Sequence, residues 1–227
     1  MLRIRDLSFA YGSNEALLHD VTFDFGDRGI VWIFGLSGVG KTTLLKILAG
    51  LLYTNNWEIL WKNTNIMQLP KLDLYAYRNK TIGFAFQDHH LLWHFTVREN
   101  ILLPFLFDNS EVDAGWIRHL TEYLGIMHLM DQKVSTISGG EKERVSIIKA
   151  LAHKPPILIL DEPGDSLHKE LRQKLYALIQ SYAQDNLVVL TSHSIELQES
   201  LQLAPIHYAD AIQFYSPLVH ASETPME

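Results

Sequence analysis

The chain has 227 residues, enough to bury a substantial interior, and 47 % of them are hydrophobic, which excludes an intrinsically disordered protein. Its 19 Lys and Arg against 26 Asp and Glu give a formal net charge of -7, which speaks against a protein built to coat nucleic acid but leaves room for a local phosphate site. With no cysteine, disulfides, thiolate nucleophiles and zinc–thiolate sites are excluded, and no apolar run reaches the roughly 18 to 20 residues that cross a bilayer. Any role at a membrane is therefore expected to run through a partner, without direct insertion.

The opening MLRIRDLSF reads as a first strand rather than a secretory signal, with Leu2, Ile4 and Leu7 roughly alternating. Tyr11-Gly12-Ser13-Asn14 predicts a turn, and Val21 to Phe25 alternates as a half-buried strand does. Gly26 to Gly29 is a second turn, followed by the continuous apolar strand Ile30 to Phe34. Leu44, Leu45, Ile47 and Leu48 recur at helical spacing, with Gly50 as the stop signal. From about His89 to Lys133 strand signals are few, and Trp93, Trp116, Tyr123 and several leucines fall at helical spacing. This predicts a helical subdomain, approximately residues 89–153, inserted into an α/β core. Gly139 to His153 reads as a helix, Ile157 to Leu160 as a buried strand, Leu171 to Ile179 as a helix, and Leu187 to Leu190 as another buried strand. The alternation predicts a mostly parallel sheet covered on both faces, behind an N-terminal antiparallel β portion. The whole is one domain, 1–227, and its last residues, SETPME, read as a frayed tail.

Gly35-Leu36-Ser37-Gly38-Val39-Gly40-Lys41-Thr42-Thr43 carries the sharpest chemistry. It has the Gly, four residues, Gly-Lys-Thr spacing, between an apolar strand and an apolar-faced helix. Glycines let successive N–H groups point inward as a nest for phosphate oxygens, and the helix start presents its free donors to the same anion. Lys41 is expected to reach the β- and γ-phosphates, Thr42 to ligate Mg2+, and Thr43 to add a hydroxyl to the α- or β-phosphate.

Asp161 and Glu162 close the apolar strand Ile157 to Leu160, so they arrive at the edge where such sheets bind ligands. Asp161 is expected to hold Mg2+, and Glu162 to polarise the attacking water. His193 follows the next apolar strand and is expected to bond the γ-phosphate. Gln87 ends Gly83-Phe84-Ala85-Phe86 and precedes the helical insertion, as a sensor of Mg2+ or of the lytic water would. The other histidines, His89, His90 and His94 among them, lack metal-ligand spacing and read as surface or packing residues.

Ile137-Ser138-Gly139-Gly140-Glu141 opens the Gly139 helix, with Ser138 as its N-cap and two glycines leaving the helix start open. The segment is a second anion-binding terminus. If two copies pair head to tail, each Ser138-Gly139-Gly140 closes over the γ-phosphate held by the other copy's Lys41 loop, and two-fold symmetry generates two composite sites.

In this motif order, from about Leu2 to Tyr215, the chain resembles the nucleotide-binding subunit of ATP-binding cassette (ABC) transporters. Gly35 to Thr43 resembles the Walker A loop, Gln87 the Q-loop glutamine, Ser138 to Glu141 the signature, Asp161-Glu162 the Walker B pair and His193 the switch histidine. Tyr11 resembles the aromatic that stacks on adenine. The region around Asp88 to Val97 and Gly140-Glu141 is similar to the lipoprotein-release, macrolide-export and cell-division group, and also to some small-solute importers. The resemblance implies an ATPase that closes as a homodimer, or as a heterodimer with a related subunit, on ATP and Mg2+. It also implies a transmembrane permease-type partner whose coupling helix enters a groove beside the helical subdomain, with Trp93, Phe95 and nearby leucines as candidate lining. Its expected location is cytoplasmic, peripheral on the inner or plasma membrane.

Departures from the family pattern are Ile137 for leucine, Glu141 for glutamine, and His168 in Pro163-Gly164-Asp165-Ser166-Leu167-His168, where an aspartate commonly helps the two sites communicate. An appended regulatory domain, which some importer ATPases carry, is not expected after the final core elements. Two other readings stay open. One is a soluble ABC-type ATPase acting on nucleic acid or ribosomes, against which stand a single cassette, no sustained heptads and acidic charge. The other is a module that uses ATP only to dimerise, against which stands Glu162.

Overall fold

In chain order the elements are β1 (Leu2–Phe9), β2 (Leu18–Gly26), β3 (Gly29–Phe34), α1 (Lys41–Leu48), β4 (Glu58–Trp61), β5 (Thr64–Asn65), α2 (Lys71–Thr81), β6 (Ile82–Ala85), α3 (Val97–Leu102), α4 (Ala114–Tyr123), α5 (Gly139–Leu151), β7 (Ile157–Asp161), α6 (Lys169–Tyr182), β8 (Leu187–Thr191), β9 (Leu203–Ala209) and β10 (Ile212–Pro217). They belong to a computed structural model that describes residues 1–12, 17–52, 58–106, 110–193, 197, 199, 201, 203–209 and 212–217. Ser13 and Asn14 of the predicted turn and the SETPME tail lie outside these residues.

β2-β1-β4-β5 form an antiparallel sheet, and β6-β7-β8-β3-β10-β9 form the central one. Within the central sheet β6, β7, β8 and β3 run parallel, and the antiparallel pair β10 and β9 extends its edge. The inner strands alternate between two apolar layers. Ile157, Ile159, Leu187, Val189, Val31 and Ile33 pack on one side with α1 and the antiparallel sheet. Leu158, Leu160, Val188, Leu190, Ile30 and Trp32 pack on the other with α3 to α6. Both faces are buried, which is why these strands read as unbroken apolar runs rather than alternating ones. Each such side chain contributes roughly 1.5–3 kcal/mol relative to exposure.

α1 stops where Gly50, at φ 64, follows the last turn and donates to Ile47 O, while Leu51 N–H reaches Lys46 O. A left-handed residue just past the helix is the usual place for glycine. α6 is longer than its apolar repeat suggested, starting at Lys169 and ending at Tyr182. Its first residues are exposed and carry no apolar signal. Between residues 89 and 133 the predicted helices are α3 and α4, with 3-10 turns at Leu103–Leu106 and Met127–Leu129, and an antiparallel bridge between Thr96 and Lys133 brings the two ends of the stretch together. α5 packs closely on β6: a Cβ at Gly83 would meet Ala150 O at 2.0 Å.

Candidate active site

Three strands finish on one row. Ile33 of β3 and Asp161 of β7 both pair in register with Thr191 of β8, so Gly35, Glu162 and His193 emerge at the same sheet edge. A parallel sheet opens its ligand crevice beyond these carboxyl ends. Trp32 Nε1 donates to Ser192 O at 3.1 Å, which fixes the segment carrying His193 against β3.

Gly38 at φ 84 and Gly40 at φ 100 shape the phosphate loop in conformations that side chains disfavour. Gly40 is doubly required, since a Cβ there would meet Leu18 Cδ2 at 3.0 Å and Leu17 Cγ at 3.1 Å. Gly40 also caps α1 without a side-chain bond, leaving the first-turn N–H groups to face the loop. Lys41 is buried and donates to Gly35 O at 2.8 Å and Leu36 O at 2.9 Å, so its ammonium spans the loop mouth. Burial pulls its pKa below the usual lysine value, against the nearby Glu162 and Asp161 charges, which raise it.

Thr42 Oγ1 donates to Asp161 Oδ2 at 2.9 Å, and Thr191 Oγ1 donates to Asp161 Oδ1 at 2.5 Å. Both carboxylate oxygens are thus held by hydroxyls. The next residue turns sharply: Glu162 has φ 52, a conformation costing a non-glycine residue roughly 1–3 kcal/mol. Its N–H is held by Thr191 O and Thr191 Oγ1, each at 3.1 Å. The turn sends its carboxyl to His193, with Oε1 3.0 Å from Nε2, and the same Nε2 lies 3.4 Å from Lys41 Nζ. Burial pushes the Glu162 carboxyl above its usual pKa, and a hydrogen bond with Asp165 adds to that rise while His193 opposes it.

Gln87, Asp161, Glu162, Pro163, Asp165 and Gly139 line a cavity of about 210 Å³, so the glutamine and the start of α5 share a space with the carboxylate pair. Ser138 does not line it. Its bonds form a capping box: Ser138 N–H and Oγ donate to Glu141 Oε2 at 2.7 Å each, and Glu141 N–H reaches Ser138 Oγ at 3.4 Å. Glu141 thus supplies a reciprocal N-cap acceptor, and those bonds hold its own pKa low. Gly139 is open, with nothing within 4 Å of an added Cβ. Tyr11 stands edge-on to Phe9 with ring centroids 4.9 Å apart, and its hydroxyl lies 3.1 Å from Thr43 Oγ1.

A second, larger groove of about 730 Å³ lies between α2, β6 and the start of the helical stretch, lined by Leu72, Tyr75, Arg78, Leu92, Leu103 and Lys149 among others. Leu92 belongs to it. Trp93 and Phe95 do not: Trp93 is exposed, with Lys142 Nζ 5.1 Å from its ring centroid.

Two residues of the site escaped the sequence reading. Thr191 was legible as a hydroxyl at the end of an apolar strand, level with the carboxylate strand. Glu143, which is buried on α5 and accepts from Gly164 N–H, sits in a charged run, Glu141-Lys142-Glu143-Arg144, that gives no sign of which carboxylate turns inward.

A glycine-rich phosphate loop facing an Asp-Glu pair across a parallel sheet defines a P-loop ATPase. The chain matches the family model described as ABC transporter over residues 18–165, and a shorter stretch, residues 143–198, also matches an AAA domain model. It is similar to the lipoprotein-releasing system ATP-binding protein LolD of Pseudoalteromonas translucida (strain TAC 125), 35 % identical over 204 residues, covering 88 % of this chain and 87 % of that one. Its fold matches the dimeric structure of MJ0796, a bacterial ABC transporter cassette, with TM-score 0.81 and 26 % identity over 88 % of this chain and 91 % of that one. A post-hydrolysis dimer of the same cassette bound to ADP and Pi matches with TM-score 0.79 and 27 % identity, with the same 88 % and 91 % coverage. The chain belongs to the ABC transporter ATPase family: it is a nucleotide-binding ATPase that powers a membrane transporter. Among the described residues no helix is long and apolar enough to cross a membrane.

Proposed function

We propose that this chain hydrolyses Mg-ATP within a head-to-tail dimer, formed with a second copy or a related cassette, and drives a transmembrane complex of the lipoprotein-releasing type from the cytoplasmic face. The observation that carries the reading is the convergence of Lys41, Thr42, Asp161, Glu162 and His193 on one sheet edge. Similarity to a lipoprotein-releasing ATP-binding protein supports the choice of partner class.

The residues fit the nucleotide and its metal. The cradle at Gly38 and Gly40 admits no side chain without strain, and a hydroxyl and a carboxylate stand 2.9 Å apart as hard oxygen donors. Thr42 and Asp161 would hold Mg2+, with Gln87 completing its surroundings. Bound there, the metal neutralises charge on the β- and γ-phosphates. Lys41 exchanges its two loop carbonyls for phosphate oxygens. Glu162 accepts hydrogen bonds from the attacking water and orients it, while His193 bonds the γ-phosphate. Tyr11 stacks on the base, Ser37 and the loop glycines donate N–H groups, and Thr43 is released from the Tyr11 hydroxyl to serve the phosphates. Across the dimer, Ser138, Gly139 and Gly140 of the second chain close the γ-phosphate side.

Residues 89–153 act as the unit that carries this closure to the membrane partner. The groove between α2 and β6 receives a short helix of that partner. Its apolar rim at Leu72, Tyr75 and Leu92, its cations Arg78 and Lys149, and the lack of a carboxylate among its described lining residues suit a helix with an apolar face and an acidic residue.

The test is turnover of the purified chain with Mg-ATP. Glu162→Gln is expected to lower kcat on the order of 100-fold or more while nucleotide affinity holds. Unchanged turnover would remove Glu162 from the mechanism.

A further inference from the structure

Glu143 lies one turn into α5, on the side that faces the loop after the carboxylate pair, and is only 8 % exposed. Gly164 N–H donates to its Oε1 at 2.5 Å, Ser166 N–H donates to Oε2 at 3.3 Å, and the Ser166 hydroxyl donates to Oε2 as well. A buried carboxylate with three donors from one short loop is a clamp rather than a solvated charge. The loop it grips starts at Pro163, directly after Glu162, and turns at Gly164 with φ 94. The grip is reinforced one turn earlier, where Gly140 packs so closely that a Cβ would meet Ser166 O at 3.2 Å. Asp165, in the middle of the clamped loop, is the carboxyl neighbour that helps to raise the Glu162 pKa. Glu143, Asp165, Ser166, Gly139 and Glu162 all line the same 210 Å³ cavity.

We infer that Glu143 is a positioning residue that locks the start of α5 to the segment 163–166, so that the two move as one piece. This rests on the dimer reading. In that dimer the Ser138-Gly139 end of α5 serves the partner's nucleotide, whereas the 163–166 loop sets the posture of the chain's own Glu162. A rigid link between them makes each chain's catalytic carboxylate respond to whether its own α5 is seated on the other site. The clamp uses neutral N–H and O–H donors, so an amide at position 143 retains part of it: its oxygen can accept from Gly164 N–H, and its NH2 can donate to the Ser166 hydroxyl. Alanine retains none.

The experiment measures ATP turnover against ATP concentration for wild type, Glu143→Ala, Glu143→Gln, Ser166→Ala and the Glu143→Ala/Ser166→Ala pair. Nucleotide affinity is measured separately on the same samples. Glu143→Ala is expected to lower kcat about tenfold or more and to bring the Hill coefficient to 1, with monomer nucleotide affinity unchanged. Glu143→Gln is expected to recover most of the turnover. The double variant is expected to be no worse than Glu143→Ala, because Ser166 acts through Glu143. A folded Glu143→Ala with wild-type kcat and cooperativity overturns the inference. If Glu143→Ala does not fold, Ser166→Ala and Glu143→Gln decide it: wild-type kcat and Hill coefficient in both overturn it, and a lower Hill coefficient in Ser166→Ala with affinity intact supports it. Failure of the wild-type chain itself to dimerise on ATP would instead refute the composite-site reading, so the two outcomes are distinct.

Discussion

Thr42 and Asp161 are joined directly, hydroxyl to carboxylate, across 2.9 Å, and this bond ties the first turn of α1 to the end of β7. The two residues are far apart in sequence, on elements that pack together in one apolar layer and meet at the sheet edge. Asp161→Asn keeps the shape but removes the charge that a divalent cation requires. Mg-dependent turnover is expected to fall on the order of 100-fold or more. ATP affinity measured with a chelator present is expected to stay within a few-fold of wild type. Equal losses with and without the metal would place Asp161 outside metal binding.

Glu162 sets a pH dependence whose sign follows from its surroundings. Burial, then the Asp165 hydrogen bond, raise its pKa above the usual carboxylate value. In the proposed mechanism Glu162 accepts from the attacking water only when ionised, so activity is expected to fall as pH drops through that raised value. Asp165→Asn removes a negative neighbour and is expected to move the acid limb of kcat/KM to lower pH. In stability the same carboxyl works the other way: between its unfolded and its raised folded pKa the native state holds the extra proton. Stability therefore declines as pH rises through that window, and Glu162→Gln is expected to flatten the slope in pH-dependent thermal melts.

His168 is the N-cap of α6 and makes no side-chain cap bond. Its φ of -71 and ψ of 159 are those of an ordinary capped start, so a carboxylate would reach the free N–H groups. His168→Asp is expected to stabilise the chain by about 1 kcal/mol and to raise Tm by roughly 2–4 °C. No rise in a calorimetric scan would mean the α6 start is already satisfied by solvent.

Gly83 is the tightest point between β6 and α5. A methyl there would lie 2.0 Å from Ala150 O, 2.7 Å from Pro155 Cγ and 2.9 Å from Ala150 C, and two of these are backbone atoms that cannot swing away. Gly83→Ala is expected to cost roughly 1–3 kcal/mol or more, read as a lower denaturant midpoint.

The parts of this molecule legible in its sequence are those written in local patterns. The phosphate loop was readable because its glycines sit at fixed offsets between an apolar strand and an apolar-faced helix. Asp161 was readable because four branched residues precede it. α2 was missed because it buries little, with Leu74 and Thr81 as its buried residues, so no apolar stripe marks it. β9 and β10 were missed because their place at the edge is decided by pairing with β3, a long-range choice. Glu143 was missed because it acts through a loop brought close by folding and its charged neighbours do not mark it, while Thr191, visible at the end of its apolar strand, gains its role only when β8 pairs with β7.

The most direct measurement is the mass of Glu162→Gln in solution, by sedimentation or light scattering, at saturating Mg-ATP. The account predicts a particle of twice the 26.0 kDa chain, which reverts to one chain when Ser138→Arg is added. A nucleotide-loaded Glu162→Gln that stays at 26.0 kDa, or a dimer indifferent to arginine at Ser138, would contradict it.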